Sequence, residues 1–330
     1  MIKWGLLGLG NMSDIFTESL HGLKNTQITA IASSSTDKLE SFSKRLGIDQ
    51  KFCFNDYSEL FKCDSTEIIY ITLPNNYHFE YIQEAFNNGK HVLVEKPAFI
   101  SLDEAKVISK LKKEKKLCFF EGFSYLHNPV TKELIEKIEK GVIGEIQEIN
   151  LQIGYDIVPR YNSFQKLFDR FKPQHRLFKE NMGGGCIMDL GCYLSSFIQL
   201  LVNIENFEVL RKDLVYDFKE VEVEANLSIM TNDRVTAHLH CSFNKVLEPT
   251  IFIKGSKGNI LINNLWNGKN ISIKLNNRPI NSARGKVGPF SSQIIAINQA
   301  LLSNENECNL HLYARYSSRK NMNLLEYWKH

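Results

Sequence analysis

The sequence predicts two domains, a doubly wound α/β domain followed by an α+β domain built on a large, open, mostly antiparallel sheet. Three observations predict this architecture. Short apolar runs alternate with helical patterns in the first third of the chain, a glycine-rich turn joins the first run to the first helix, and alternating apolar and polar positions dominate the later part. A chain of 330 residues is long enough for two domains, and the change of pattern divides it into residues 1–122 and 123–330.

The first domain is predicted from a regular alternation of strands and helices. The strands are nearly continuous apolar runs, which is typical of a parallel sheet covered by helices on both faces. Ser101 is predicted to cap the last helix, and Glu104 completes a capping box with it. The predicted strands are Ile2–Leu9, Gln27–Ala32, Lys51–Phe54, Glu67–Thr72, His91–Val94 and Leu117–Glu121. The predicted helices are Ser13–Leu23, Thr36–Leu46, Tyr57–Phe61, Tyr77–Asn88 and Ser101–Lys115.

The second domain is predicted from period-two alternation, which is typical of strands with one face in water and the other in the core. The predicted strands are Glu145–Tyr155, Val221–Thr231, Arg234–Phe243, Thr250–Gly255, Gly258–Asn263 and Asn270–Leu275. The predicted helices are Pro129–Lys140, Gly191–Val202 and Ser291–Leu302. The pattern therefore indicates an open sheet interrupted by helices.

Composition and charge exclude several classes of protein. With 40 Lys+Arg against 37 Asp+Glu, the formal net charge is +3, and no basic tract suggests a nucleic-acid or anionic-membrane partner. No apolar run reaches the roughly 20 residues that a membrane-spanning helix needs, and the short apolar N-terminus lacks a signal-peptide cleavage site. The seven cysteines have no disulfide or zinc-ligand spacing. These observations predict a cytoplasmic protein with reduced thiols and no metal site.

A glycine-rich turn near the start of the chain predicts a dinucleotide-binding site. Gly8 and Gly10 follow the first strand, and Asn11, Met12 and Ser13 open the helix after it. The first glycine permits a tight turn, and the second lets the backbone approach a pyrophosphate, which the helix N-terminus binds through its N–H groups and dipole. Ser13 replaces the third glycine of the pattern, and a small residue there still allows close packing of helix and strand. This strand–turn–helix is a Rossmann fingerprint.

The end of the second strand predicts which nicotinamide cofactor binds. An acidic side chain there would bind the ribose 2′-hydroxyl of NAD and repel the 2′-phosphate of NADP. Here Ser33 and Ser34 stand at the strand end, with Lys38 in the following helix. Because hydroxyls and an ammonium favour a phosphate, NADP is predicted. NAD stays open as the alternative, in which the Asp37 carboxylate would read the ribose.

Motifs along nearly the whole chain resemble the Gfo/Idh/MocA oxidoreductases, whose namesakes are glucose–fructose oxidoreductase and inositol dehydrogenase. Gly89–Pro97, which ends in Glu-Lys-Pro, is similar to the most specific signature of that family. The other similar segments are the glycine turn, Ile71–Asn75 with His78, Glu121–Tyr125 through Pro129, Arg176 with Gly183–Gly185, Asp189, Gly191 and Tyr193, and Lys254–Gly258. The resemblance implies a Rossmann domain, a sheet-built substrate domain and nicotinamide-dependent oxidoreductase activity.

The resemblance also implies site residues and assembly. Many members carry histidine at the position of Tyr193, whereas the branch similar to glucose–fructose oxidoreductase and dimeric dihydrodiol dehydrogenase carries tyrosine and is associated with NADP. The outer face of the second domain's sheet is implied to form a homodimer or homotetramer. The cofactor-binding candidates are Gly8, Gly10, Asn11, Met12, Ser33, Ser34, Lys38, Thr72, Pro74, Asn75, His78, Glu95 and Lys96. The substrate-binding candidates are Tyr125, Arg176, Asp189 and Tyr193.

Lys96, Tyr193 and Asp189 are the predicted catalytic residues. Oxidation of a carbon that bears a hydroxyl needs a group that takes the hydroxyl proton, and Tyr193 is the candidate. A free phenol has a pKa of about 10, and a nearby ammonium such as that of Lys96, oriented by Glu95, would lower it. Asp189 lies four residues before Tyr193, one helical turn away, and is predicted to hold a sugar hydroxyl or to steer Lys96. The predicted substrate is carbohydrate-like: a sugar, a polyol or a related hydroxy or carbonyl compound.

Structural roles stay open for several of these residues. Tyr193 is alternatively a packing tyrosine and Asp189 a helix N-cap, since aspartate is a favoured cap. Arg176 is alternatively a surface ion-pair partner. For His78 a structural role is the stronger interpretation.

Two other functions also stay open. One is an NAD-dependent glycosidase that works by oxidation, elimination and re-reduction, and the other is a non-catalytic cofactor-binding sensor.

The basic segment 156–180 is predicted to line the substrate site, where Arg160 and Arg170 would favour an acidic or phosphorylated substrate.

Overall fold

The computed structural model describes residues 1–158, 175–218, 220–266, 268, 270–280, 288–303 and 312–330. The chain forms two compact units, Met1–His127 with Lys286–Ala314, and Asn128–Gly285 with Arg315–His330. The sequence-based division placed everything after residue 122 in the second domain. The chain instead returns to the first unit after the large sheet is complete.

The first unit is built on a six-stranded sheet in the order β3-β2-β1-β4-β5-β6, with all pairs parallel. Its strands are β1 (Ile2–Leu7), β2 (Thr26–Ala32), β3 (Cys53–Phe54), β4 (Ile68–Ile71), β5 (His91–Val94) and β6 (Phe119–Glu121). Its first helices are α1 (Asn11–Ser19), α2 (Thr36–Leu46), α3 (Tyr57–Lys62), α4 (His78–Asn87) and α5 (Leu102–Lys115). This strand order is that of dinucleotide-binding Rossmann folds, so the predicted fold of the first domain is confirmed.

Local signals position these elements. Ser101 accepts a hydrogen bond from the Glu104 amide at the start of α5, and the Glu104 carboxylate accepts one from the Ile100 amide at 2.9 Å, as a capping box requires. All residues of β4, and all residues of β5 after His91, are buried, because helices cover both faces of the sheet.

A helix late in the sequence completes the first unit. This helix, α8 (Pro289–Leu302), packs against α1 and β1. The buried Trp4 indole donates to the Asn298 side chain at 3.1 Å, and the Ser291 hydroxyl donates to the Ser19 carbonyl at 2.9 Å. Periodicity predicted the helix but not its partner, because an apolar face does not specify what it packs against.

The second unit contains an eight-stranded sheet in the order β14-β13-β12-β11-β7-β10-β9-β8. Its strands are β7 (Ile146–Gly154), β8 (Phe207–Phe218), β9 (Val221–Thr231), β10 (Thr236–Ser242), β11 (Leu247–Gly255), β12 (Asn259–Asn263), β13 (Ser272–Leu275) and β14 (Arg278–Pro279). The β7–β10 pair is parallel and the other pairs are antiparallel, which confirms the predicted, mostly antiparallel sheet. Ile149, Leu151 and Ile153 of β7 are buried, while the residues between them are partly exposed.

The α-helices in the described part of this unit are α6 (Pro129–Glu139), α7 (Cys192–Ile198) and α9 (Ser318–Lys329). Helix α9 was not predicted, although Ser317 caps it and its buried residues have helical spacing. Strand β8 was not predicted either. Val209, Leu210 and Val215 of this edge strand are all exposed, and a strand with little buried surface has no alternating pattern. In the part of the chain that the structure describes, no helix combines the length and apolarity needed to cross a membrane.

Candidate functional site

The predicted cofactor-binding residues follow the carboxyl ends of four strands in the first unit. Gly8 follows β1, Ser33 follows β2, Thr72 follows β4, and Lys96 lies two residues beyond the end of β5. Because the strands are parallel, these residues are brought to the same edge of the sheet. The chain order of the strands reverses between β1 and β4, and ligands of open α/β sheets bind in the crevice at such a reversal.

The glycine turn between β1 and α1 has the geometry of a phosphate cradle. Gly8 has φ +86°, and a Cβ there would lie 2.9 Å from a Leu73 side-chain carbon, so this position favours glycine. A Cβ on Gly10 would have no atom within 4 Å, which leaves open space directly before the first turn of α1. Gly10 is the N-cap of α1 and supplies no side chain to bond its N–H groups. The turn therefore fits the pyrophosphate of a dinucleotide.

Ser13 and Thr72 hold this turn in place. The Ser13 side chain is fully buried and its hydroxyl donates to the Gly8 carbonyl at 2.6 Å. The Thr72 hydroxyl donates to the same carbonyl at 2.7 Å. Ser13, which stands where the fingerprint has its third glycine, therefore stabilises the turn, and Thr72 stabilises it in the same way.

The end of β2 presents hydroxyls and a lysine. Ser33 is buried and accepts a hydrogen bond from the Ser35 amide, while Ser35 caps α2 by accepting one from the Lys38 amide. Ser34, Asp37 and Lys38 are exposed around the first turn of α2. The two groups that were predicted to compete, the Lys38 ammonium and the Asp37 carboxylate, are therefore neighbours in the same helical turn.

The segments after β4 and β5 are joined by His78. The His78 ring is fully buried; its Nε2 lies 2.8 Å from the Leu73 carbonyl and its Nδ1 lies 3.1 Å from the Pro97 carbonyl. Its side chain is thus used within the protein, as the structural interpretation predicted. Asn75 is buried beside it in the 3₁₀ turn Asn75–Tyr77, while Pro74 is partly exposed.

Lys96 is partly exposed and follows a residue that is held by hydrogen bonds. The preceding residue, Glu95, accepts a hydrogen bond from the Tyr70 hydroxyl, and its amide donates to the Ile71 carbonyl at 3.0 Å. The Lys96–Pro97 peptide is cis. Glu95 therefore has a hydrogen-bonded position next to Lys96.

Asp189 and Tyr193 are the polar candidates in the second unit. From Gly183 to Leu200, these two residues are partly exposed and every other residue is buried. Asp189 lies inside a π-helical turn, Ile187–Gly191, whose N-cap is Cys186, and α7 follows directly. The alternative that Asp189 is a helix N-cap is therefore wrong, because a π-helical turn begins before it.

His175, which was not predicted from the sequence, lies near Asp189 and directly precedes Arg176 in the chain. Burial and the Arg176 guanidinium lower the pKa of His175, while the Asp189 carboxylate acts in the opposite direction. His175 and Arg176 are both partly exposed. The adjacent basic residues just before the glycine motif were the signal that could have identified His175.

Tyr125, by contrast, is 1% exposed and packs edge-on against Phe123, with ring centroids 6.0 Å apart.

A second residue that the sequence analysis missed, Glu222, supports the π-helical turn. Its fully buried carboxylate accepts a hydrogen bond from the Ile187 amide at 3.0 Å. A Cβ on Gly185, which has φ +102°, would lie 2.2 Å from Oε1 of Glu222. Glycine is therefore needed at position 185, because the carboxylate packs directly on its backbone. No local pattern around Glu222 indicates this contact.

We expect the E222Q variant to gain stability over the wild type as the pH rises. Burial raises the pKa of the Glu222 carboxyl above 4.5, although the hydrogen bond from Ile187 opposes the shift. A folded-state pKa above the unfolded value adds stability that is complete below the unfolded pKa and is lost as the pH rises through the folded pKa. Glutamine keeps the acceptor but has no charge to bury.

The measurement for Glu222 is urea unfolding between pH 4 and pH 8. The free energy of unfolding of E222Q minus that of wild type should increase with pH. The matched control is Glu220→Gln, at an exposed glutamate on the same segment, which should show no such trend. A pH-independent difference for E222Q would contradict burial of a titrating carboxylate.

In the described ranges, no group of three or more His, Cys, Asp or Glu side chains has the arrangement of a metal site. Cys186 and Cys192 are fully buried, as predicted for small hydrophobic residues, and burial raises the pKa of the Cys186 thiol. Arg160 and Arg170, predicted to face an acidic substrate, lie outside the described residues.

A parallel sheet in the order 3-2-1-4-5-6 with a glycine cradle at its switch point defines a dinucleotide-binding protein. Family comparison specifies which kind. Residues 2–123 match the model of the oxidoreductase family with an NAD-binding Rossmann fold, and residues 131–261 match the Gfo/Idh/MocA C-terminal domain. The chain therefore belongs to the Gfo/Idh/MocA oxidoreductase family, as its motifs predicted.

Relatives with known names lie in the same family. The chain is 28% identical over 243 residues to the dTDP-3,4-didehydro-2,6-dideoxy-α-D-glucose 3-reductase of Actinomadura kijaniata, covering 73% of this chain and 68% of that protein. It is 24% identical to the trans-1,2-dihydrobenzene-1,2-diol dehydrogenase of Mus musculus, covering 80% and 75%. The solved structure of KijD10, a 3-ketoreductase from Actinomadura kijaniata in complex with NADP and TDP-benzene, has a TM-score of 0.82 at 24% identity, covering 98% and 96%. The last comparison shows a shared fold.

Proposed function

We propose that this protein is an NADP-dependent oxidoreductase that transfers a hydride between the nicotinamide and a sugar, a polyol or a related hydroxy or carbonyl compound. The observation that carries the proposal is the glycine cradle at the carboxyl edge of the parallel sheet, with open space at Gly10. Membership of an oxidoreductase family supports the reaction class. The names of the relatives, a sugar-nucleotide ketoreductase and a dihydrodiol dehydrogenase, support a substrate with adjacent oxygen functions.

Tyr193 is proposed as the general acid and base. The bound nicotinamide supplies or accepts the hydride at the reacting carbon. In the reductive direction, the Tyr193 hydroxyl gives its proton to the substrate oxygen as the carbonyl becomes a hydroxyl; in the oxidative direction it takes that proton back. The partial exposure of Tyr193 in an otherwise buried helix supports this role, because a tyrosine that only packs has no need to face solvent.

Lys96 and Asp189 are proposed to assist Tyr193. The Lys96 ammonium would hydrogen-bond the reacting oxygen and stabilise the negative charge that develops when the proton leaves. Asp189 is proposed to accept a hydrogen bond from a neighbouring substrate hydroxyl, with Arg176 as a further donor. Their chemistry suits a polyhydroxylated substrate, in which each hydroxyl can both donate and accept.

Lys38 is proposed to select NADP. Its exposed ammonium, with the exposed Ser34 at the end of β2, would bind the 2′-phosphate. Lys38→Ala should weaken NADPH binding about 5- to 10-fold, the range for one exposed charge-assisted hydrogen bond, and leave NADH binding unchanged. Fluorescence titration with both cofactors measures this difference.

The matched control for Lys38 is Lys44→Ala, at an exposed lysine in the last turn of the same helix. It removes the same charge at the opposite helix end and should leave both affinities unchanged. If the wild type prefers NADH, and Asp37→Asn weakens NADH binding, then the carboxylate reads the ribose and the NADP assignment is wrong. Binding of neither cofactor would refute the proposed function.

The outer face of the large sheet is proposed to join copies of this chain into a dimer or tetramer. It contains a concavity of about 420 Å³. Asn150 and Gln152 of β7, Asn226 of β9 and His238 of β10 line it, offering both donors and acceptors to a second copy. Light scattering of the purified chain should give a mass of two or four protomers, and a monomer at micromolar concentration would overturn the assignment.

A further inference from the structure

We propose that His78 and Glu121 are positioning residues, which fix Lys96 through the peptide group that joins Pro97 to Ala98. The carbonyl of this peptide lies 3.1 Å from Nδ1 of His78, and its N–H donates to Oε1 of Glu121 at 2.9 Å. Both polar groups of one peptide are thus held by side chains, directly after Lys96. The inference rests on the catalytic role proposed for Lys96.

His78 ties this peptide to the segment that follows β4. Its ring is fully buried, and the second ring nitrogen lies 2.8 Å from the Leu73 carbonyl. Because a carbonyl oxygen only accepts, a neutral ring makes one of these two bonds, and an imidazolium ring makes both. With a proton on Nδ1 the ring donates to the Pro97 carbonyl, and the imidazolium form also bonds to the Leu73 carbonyl in the segment that carries Thr72.

Glu121 ties the other side of the peptide to the end of β6. Its side chain is 2% exposed. Its backbone is also held, because its amide donates to the Tyr313 hydroxyl at 2.9 Å and its carbonyl accepts a hydrogen bond from the same hydroxyl. Tyr313 is 5% exposed and contacts the rings of Phe120 and His127, with centroids 5.9 and 5.3 Å away. The carboxylate therefore acts from a fixed position.

Two neighbouring amides of this edge donate to backbone carbonyls. The Glu95 amide donates to the Ile71 carbonyl at 3.0 Å, and the Gly122 amide donates to the Val94 carbonyl at 2.8 Å. Burying a carboxyl group and an imidazole is costly unless they are hydrogen-bonded. Two such groups converge on the Pro97–Ala98 peptide, directly after the partly exposed Lys96. A fixed peptide at this place would preserve the direction of the Lys96 side chain.

The test compares Glu121→Leu, which removes the acceptor, with Glu121→Gln, which keeps it. Glu121→Leu should lower kcat about 10- to 100-fold, the effect of a small misplacement of a catalytic group, with the Kd of NADPH unchanged. Glu121→Gln should retain kcat within about threefold, since Oε1 can still accept. In the free protein, hydrogen–deuterium exchange at the Ala98 amide should accelerate at least about tenfold in Glu121→Leu and little in Glu121→Gln.

The matched control is Glu104→Leu. Glu104 is a partly buried carboxylate of the same unit that also accepts a backbone N–H, from Ile100 at 2.9 Å. Its removal should leave kcat unchanged. His78→Gln, which replaces the two ring nitrogens with a flexible amide, supplies a second variant if Glu121→Leu does not fold, and should lower kcat without changing the Kd of NADPH.

A double-mutant cycle with Lys96→Ala separates positioning from general damage. If Glu121 acts through Lys96, then Glu121→Leu should not reduce the residual rate of Lys96→Ala further. Equal losses in both backgrounds, or a wild-type kcat in Glu121→Leu despite faster exchange at Ala98, would overturn the inference while leaving the proposed function intact. Full activity of Lys96→Ala would instead refute the role of Lys96, and with it the positioning role.

Discussion

Replacing Tyr193 by phenylalanine should lower kcat by about 10²- to 10⁴-fold, the usual contribution of a positioned acid or base. The substitution removes one oxygen atom from a ring that packs near Trp266, with centroids 6.5 Å apart, so the fold should be retained. NADPH affinity should not change, because the cofactor candidates lie in the first unit. The measurement is steady-state kinetics on a panel of sugars, polyols and diketones, together with NADPH titration.

Tyr216→Phe is the matched control for this prediction. Tyr216 is 52% exposed on the edge strand β8 of the same unit, and loss of its hydroxyl should not affect kcat. A Tyr193→Phe enzyme with wild-type kcat would show that another group transfers the proton and that Tyr193 is a packing residue.

Replacing Gly10 by valine should weaken NADPH binding by about 100-fold or more, because the side chain would occupy the space that the pyrophosphate needs. The fold should tolerate this change. Gly10 has φ −108°, which a β-branched residue adopts readily, and a Cβ there would have no atom within 4 Å. NADPH titration and thermal unfolding of the same sample separate lost binding from lost stability.

Gly288→Val provides a close control for Gly10→Val. Gly288 is likewise the N-cap of a helix in the first unit, with φ −66° and no atom within 4 Å of an added Cβ. Both variants should unfold near the wild-type temperature, and only Gly10→Val should lose NADPH affinity. If Gly10→Val binds NADPH normally, the glycine turn is not the pyrophosphate site.

Local signals in the sequence were sufficient for most elements of the fold. Thr36–Leu46, His91–Val94 and Val221–Thr231 were predicted with the bounds that the structure has. The helix follows a capping serine, the first strand is a nearly continuous apolar run, and the second strand has an alternating pattern, so short-range physics defines all three. The positions of Gly8 and Gly10 followed in the same way, because a strand, a tight turn and a helix start leave a contiguous signature.

Only the tertiary structure identified the residues that support these sites. Glu222 bonds to Ile187, 35 residues away, and Tyr313 bonds to Glu121, 192 residues away. Such pairs leave no periodicity, because a side chain's partner depends on how distant segments pack rather than on its neighbours in sequence. The same reason explains why α8 was predicted as a helix but not as part of the first unit. The sequence by itself thus determined the element types and the cofactor motif, whereas long-range packing decided which buried groups hold the π-helical turn and the Lys96 segment in place.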